Sequence, residues 1–69
     1  MEVSTPMPGT VLSIDVSEGQ KVKANDEVAT IEAMKMEVKI YAPKEGVIKE
    51  IKVGAGDNLN VNDVVMNIE

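Results

Sequence analysis

A shift of 37 positions lays this chain on itself without a gap. Pro6 meets Pro43, Gly9 meets Gly46, Ile14 meets Ile51 and Val16 meets Val53. Further on, Gly19 meets Gly56, Asn25-Asp26 meets Asn62-Asp63, and Val28, Ile31 and Glu32 meet Val65, Ile68 and Glu69. Ten of the 32 overlapped positions are identical, and pairs such as Val11 with Ile48 or Val22 with Leu59 are conservative. So regular a match in 69 residues marks a tandem duplication. One domain spans 1–69, with a unit over about 5–32 built again over about 42–69 and residues 33–37 joining the two. A chain this short buries only roughly 60% of the surface its unfolded form exposes. Neither unit can bury an apolar face alone, so each has to cover the other.

Each unit reads as β structure. Residues 10–16 and 47–53 are rich in β-branched side chains, with apolar positions alternating near their ends. The phase slips between Val11 and Ile14, and again between Ile48 and Ile51. A slip at matching places predicts a bulge that curves the strand. Short runs follow at 21–23 and 59–61, then 27–33 and 64–69. Residues 36–41 alternate apolar Met36, Val38 and Ile40 with polar-side Glu37, Lys39 and Tyr41. Ser17-Glu18-Gly19, Gly54-Ala55-Gly56, Asn25-Asp26 and Asn62-Asp63 supply turns between them. No window of useful length has helical periodicity. The expected fold is all-β: a flattened barrel or sandwich of two four-stranded antiparallel sheets, about eight short strands, related by a pseudo-two-fold with the termini close together. Closing the sheets on each other also limits exposed edges.

The residues that are missing narrow the chemistry. The chain has no His, Cys, Trp or Phe and a single Tyr, and its seven cations are all lysines. Without His or Cys the usual general bases, nucleophiles and zinc ligands are gone, so self-contained catalysis and a metal site are not expected. A formal charge of −5 argues against nucleic acid and anionic lipid, which want basic faces. The acidity by itself reads as a solvated surface. No apolar run approaches about 18 residues, so no membrane insertion is expected, and Met1-Glu2-Val3 does not open a signal peptide.

A duplicated fold repeats what it needs for folding, so what is not repeated calls for another explanation. Between the units lies Ala33-Met34-Lys35-Met36-Glu37, and a 37-residue shift carries Lys35 beyond both ends. This segment joins the halves at one pole, with the termini expected at the other. It must turn, yet it holds no Gly, Pro, Asn or Asp, where a tight hairpin normally wants Asn-Gly or a close equivalent. Breaking a local rule in this way is expected at functional sites. The expectation is a lysine on a hairpin tip, with a methionine on each side. Met36 also continues the apolar face of Val38 and Ile40, and on that reading it is adaptable core filler. Glu32 reads as a strand-end charge, because Glu69 repeats it.

Glu32-Ala33-Met34-Lys35-Met36 resembles the attachment motif of the biotinyl domain family. Pro6-Met7-Pro8-Gly9, Glu18-Gly19-Gln20-Lys21-Val22 and Ala42-Pro43 are similar to that family as well, so the resemblance covers essentially the whole chain. It implies a biotin carboxyl carrier: biotin joined covalently to Lys35 by biotin protein ligase, with Ala33, Met34, Met36 and Glu32 read around the site. The implied partners are that ligase, a biotin carboxylase, and a carboxyltransferase or decarboxylase subunit between whose sites carboxyl groups are ferried. The implied domain is a non-catalytic monomer located in the cytoplasm, including as part of a membrane-associated decarboxylase complex. Bacterial acetyl-CoA carboxylase carriers insert a thumb in the first half. Here the first half matches the second residue for residue and leaves no room for one. The chain therefore resembles the thumbless domains of decarboxylases, transcarboxylases and pyruvate or propionyl-CoA carboxylases. It departs from the family at Asn25 and Asn62, turn positions where Gly is common. Asn tolerates the left-handed conformation better than other side-chain-bearing residues.

Three other readings stand beside this one. A lipoyl domain shares the duplicated fold and the tip lysine, but there the lysine is typically flanked by Asp and Ala, not by two methionines. A plain β interaction module would leave Lys35 unmodified, and a self-contained enzyme would lack catalytic groups. An ordinary lysine amine is protonated at neutral pH, so activation of the nucleophile falls to the ligase.

Overall fold

The computed structural model describes residues 1–69, and the β-branched runs fold as strands throughout. They are β1 (Glu2–Ser4), β2 (Gly9–Ile14), β3 (Lys21–Val22), β4 (Glu27–Ala33), β5 (Met36–Tyr41), β6 (Gly46–Ile51), β7 (Asn58–Leu59) and β8 (Val64–Ile68). There is no helix. One sheet runs β1-β8-β6-β3 and the other β5-β4-β2-β7, with every pairing antiparallel. A shift of 37 residues turns the first order into the second strand by strand. The all-β sandwich of two four-stranded sheets with a pseudo-two-fold is thus the fold observed.

The halves interlock rather than merely stack. β3 from the first half completes the sheet of β6 and β8, and β7 from the second completes the sheet of β2 and β4. Matched hydrogen bonds stitch the exchange. Thr5 N donates to Asp63 O at 3.0 Å as Ala42 N donates to Asp26 O at 2.8 Å, and Asn62 N reaches Thr5 O as Asn25 N reaches Ala42 O. Each left-handed Asn sits in a turn whose following aspartate is itself a cap. Asp26 Oδ2 accepts from Lys23 N, and Asp63 Oδ2 from Asn60 N, both at 2.8 Å. Asn25 and Asn62 have φ of 71° and 68°, so the departure from Gly is absorbed by the side chain that best bears this conformation.

The phase slips are bulges. The β2–β4 register shifts between Val11 and Ser13, and the β6–β8 register between Ile48 and Glu50. Each bulge lets its central strand bend over the core. That core is aliphatic: Val3, Val11, Val28, Ile31, Ile40, Ile48, Val65, Met66 and Ile68 are all buried within one cluster. No buried side-chain polar atom lacks a partner. The β2–β3 connection is no longer than its mate between β6 and β7, so nothing resembling a thumb is inserted.

The strand limits differ in detail from the sequence reading. β2 and β6 begin and end earlier than 10–16 and 47–53, although Asp15 N and Lys52 N each still donate one bond to the neighbouring strand, to Val28 O and Val65 O. The two-residue strand β7 begins at Asn58 rather than Leu59. β1, three residues long, was not among the expected runs. Met1 N donates to Ile68 O at 2.6 Å, so the termini meet, at the place the two-fold assigns as counterpart of the β4–β5 tip.

Candidate functional site

The candidate site is the hairpin between β4 and β5. Its ladder runs Thr30↔Lys39, Ile31↔Val38, Glu32↔Glu37 and Ala33↔Met36, which leaves Met34 and Lys35 as a two-residue turn. Both residues have positive φ, 54° and 64°. That is the φ pattern of a type I′ turn, whose twist matches the strands it joins. Asn-Gly satisfies such a turn at little cost, whereas most other L-residues lose roughly 1–2 kcal/mol each in the left-handed region. Gly19, Gly56, Asn25 and Asn62 fill the other left-handed positions. The tip alone places ordinary side chains there.

The tip projects its side chains into solvent. Met34 is 90% exposed and Met36 68%; Lys35 is exposed too and takes part in no ion pair or side-chain hydrogen bond. Ala33 is buried, at 4%. Glu32 and Glu37 are exposed directly opposite one another, and no cation lies within ion-pair range of either. The expectation that Met36 is core filler is overturned. Val38 is half-buried and Ile40 buried, but Met36 opens an edge strand and its cross-strand partner Ala33 is too small to cover it. Its thioether joins that of Met34 as exposed apolar surface beside the lysine.

Two supporting features were not singled out from sequence. Gly9, on the central strand β2, lies against the end of β4: a Cβ there would sit 2.5 Å from Glu32 O and 3.4 Å from Ala33 Cβ. Its identity with Gly46 marked it as part of the repeat and hid any separate link to the tip. On the outer face of the same sheet, buried Thr30 donates to Asp15 Oδ2 and accepts from Lys39 Nζ, both at 3.1 Å. This network ties β4 to β5 two ladder steps below the acidic pair. Its counterpart residue, Asn67, gave no hint of it.

A biotin group fits this arrangement as a covalent appendage. The tip offers an accessible primary amine free of competing partners. The two surface hollows are elsewhere, one beside the termini and one beside β3 and β6, and neither includes residues 32–37. A bicyclic ligand has no cavity to enter here, but an amide on Lys35 needs none.

Residues 1–68 match the family model described as "Biotin-requiring enzyme", Biotin_lipoyl. The chain is 47% identical over 64 residues to the propionyl-CoA carboxylase alpha chain of Ruegeria pomeroyi, covering 93% of this chain and 9% of that protein. Over 68 residues it is 38% identical to the biotin/lipoyl attachment protein of Bacillus subtilis, covering 99% of this chain and 93% of that one. The crystal structure of Kluyveromyces lactis urea carboxylase superposes with a TM-score of 0.95 at 30% identity, over 100% of this chain and 6% of that one. The chain thus spans only a small fraction of the carboxylases it matches and nearly all of the attachment protein. It belongs to the Biotin_lipoyl family of biotin-requiring enzymes, and biotin is its cofactor.

Proposed function

We propose that Lys35 is the biotinylated residue and that the chain is a non-catalytic carboxyl carrier in a biotin-dependent carboxylase, decarboxylase or transcarboxylase. The observation that carries this reading is the tip itself. It is the one turn built without Gly or Asn at its left-handed positions, it has no counterpart in the duplication, and it exposes an unpartnered amine. Biotin protein ligase recognises Ala33, Met34, Met36 and Glu32 around that amine. The new bond joins Lys35 Nζ to the carboxyl carbon of biotin activated as its adenylate. AMP leaves with the electron pair of the broken C–O bond, and the lysine sheds two protons, one before attack and one as the amide forms. The formal charge of the chain changes from −5 to −6.

When bound, biotin supplies a ureido nitrogen able to hold a carboxyl group. The chain's part is physical. A sandwich with interlocked halves holds the attachment point rigid, and a long flexible arm beyond it reaches the sites of a biotin carboxylase and of a carboxyltransferase or decarboxylase. Tethering within one assembly raises the effective concentration at both sites. The domain works as a monomer within that assembly, in the cytoplasm. Intact and peptide mass spectrometry after co-expression with biotin protein ligase tests the assignment. One biotinyl group on the peptide containing Lys35, none on the other lysines and none in Lys35→Arg is the expected result. An unmodified chain, or one that takes up lipoate instead, overturns it.

A further inference from the structure

We propose that Gly9 is a positioning residue for modification of Lys35, acting through the backbone of Glu32 rather than by touching the lysine. The proposal rests on the biotin assignment above. Gly9 lies between two neighbours in its sheet, paired with Leu59 of β7 on one side and facing the end of β4 on the other. Real Cβ atoms essentially never approach a heavy atom closer than 3.0 Å, and one on Gly9 would lie 2.5 Å from Glu32 O. A methyl at this position therefore forces a movement of about half an ångström or more. Glu32 is two residues from the left-handed pair, so movement there tilts the base of the tip.

β2 is poorly able to yield instead. The segment leading into it is Pro6-Met7-Pro8, with φ fixed at both prolines. Thr5, wholly buried, clamps it further: Thr5 Oγ1 donates to Met7 O at 2.6 Å, and Met7 packs against the core. β4 is left to move, and with it Met34 and Lys35. Buried Ala33 completes the fit, because the same Cβ would lie 3.4 Å from its methyl.

The duplication supplies a matched control. Gly46 occupies the equivalent place on β6, where a Cβ would lie 2.6 Å from Glu69 O and 2.6 Å from Ile68 Cγ2. The conflict with a backbone carbonyl is closely similar and a clash with buried Ile68 adds to it, but it falls beside Glu69 rather than at the tip. The lead-in differs too, since Ala42 stands where Thr5 does and offers no hydroxyl. If Gly9 serves only the fold, Gly9→Ala is no poorer a ligase substrate than Gly46→Ala, which carries the greater clash.

The test compares wild type, Gly9→Ala and Gly46→Ala in the full chain as substrates for biotin protein ligase. A displacement approaching 1 Å at a reacting group can cost about 10²-fold in rate. Gly9→Ala is expected to lose at least about tenfold in kcat/KM relative to Gly46→Ala, with the loss in kcat because the exposed residues around the lysine are unchanged. The three-bond HN–Hα couplings of Met34 and Lys35, read by NMR without any ligase, are expected to change in Gly9→Ala and stay as in wild type in Gly46→Ala. Equal rates and couplings in the two variants overturn the proposal. So does a Gly9→Ala chain that does not fold, because the glycine then serves the whole structure. A wild-type chain that accepts no biotin overturns the biotin assignment instead, and the couplings then decide the role of Gly9 alone.

Discussion

At the tip, two side-chain-bearing residues occupy a conformation that favours Gly or Asn, and that choice has a measurable cost. Met34, at φ 54°, is almost wholly exposed and gains nothing from the core in compensation. Met34→Asn keeps the turn while relieving much of the left-handed strain, and without the extra unfolded-state freedom that Gly brings. It is expected to stabilise the domain by about 1 kcal/mol, which in a domain of this size raises the melting temperature by about 4–8 °C. Thermal unfolding followed by circular dichroism reads this directly, and an unchanged or lower melting temperature refutes it. The same variant is expected to be a poorer ligase substrate, since it removes one of the two exposed thioethers beside Lys35. The place of Lys35 on an exposed hairpin tip was legible from sequence because the duplication left that segment unmatched. Of the two readings of Met36, core filler fails, because alternation tells which face a residue lies on, not whether anything covers that face.

At the scale of the hairpin, the unusual feature is two carboxylates set directly across the ladder. Glu32 and Glu37 are exposed, face one another and lack a cation in range. Opposed like charges destabilise a cross-strand pair by a few tenths of a kcal/mol. Glu37→Lys converts the repulsion into attraction and is expected to stabilise the domain by about 0.5 kcal/mol at low salt. The gain should largely vanish near 1 M salt, where the screening length is about 3 Å. Urea unfolding at the two ionic strengths measures both parts, and a gain that survives high salt would point to packing rather than charge. Elements were legible from sequence where a run exceeded about four residues or occurred twice. The bulges in β2 and β6 could be read because the same phase slip appeared in both. β1 could not, since three residues carry no periodicity, and only projecting residues 39–41 back by 37 positions onto 2–4 would have found it. The exchange of β3 and β7 between sheets was invisible for a different reason: a repeat says which segments are equivalent, not which of them pair.

For the molecule as a whole, the pseudo-two-fold predicts that equivalent positions carry equal loads unless function breaks the symmetry. Ile31 and Ile68 are such a pair, on β4 and β8, each fully buried in the common core. A domain of 69 residues has roughly 3–10 kcal/mol of stability in total, so truncation to Ala, at about 2–5 kcal/mol, risks unfolding it outright. Ile→Val removes one methylene and typically costs about 0.5–1.5 kcal/mol, which leaves a measurable transition. Ile31→Val and Ile68→Val are each expected to fall in that range and to differ from one another by less than about 0.5 kcal/mol, with unchanged urea m-values. The difference matters more than either value, because it cancels the uncertainty in how far the unfolded chain is already collapsed. A markedly larger cost at Ile31 would mean that the half bearing the tip is the more tightly held. The strain of Met34 and Lys35 would then be borne by its own sheet. Equal costs would mean that both sheets share it through the interlocked core, and that the site rests on the whole sandwich.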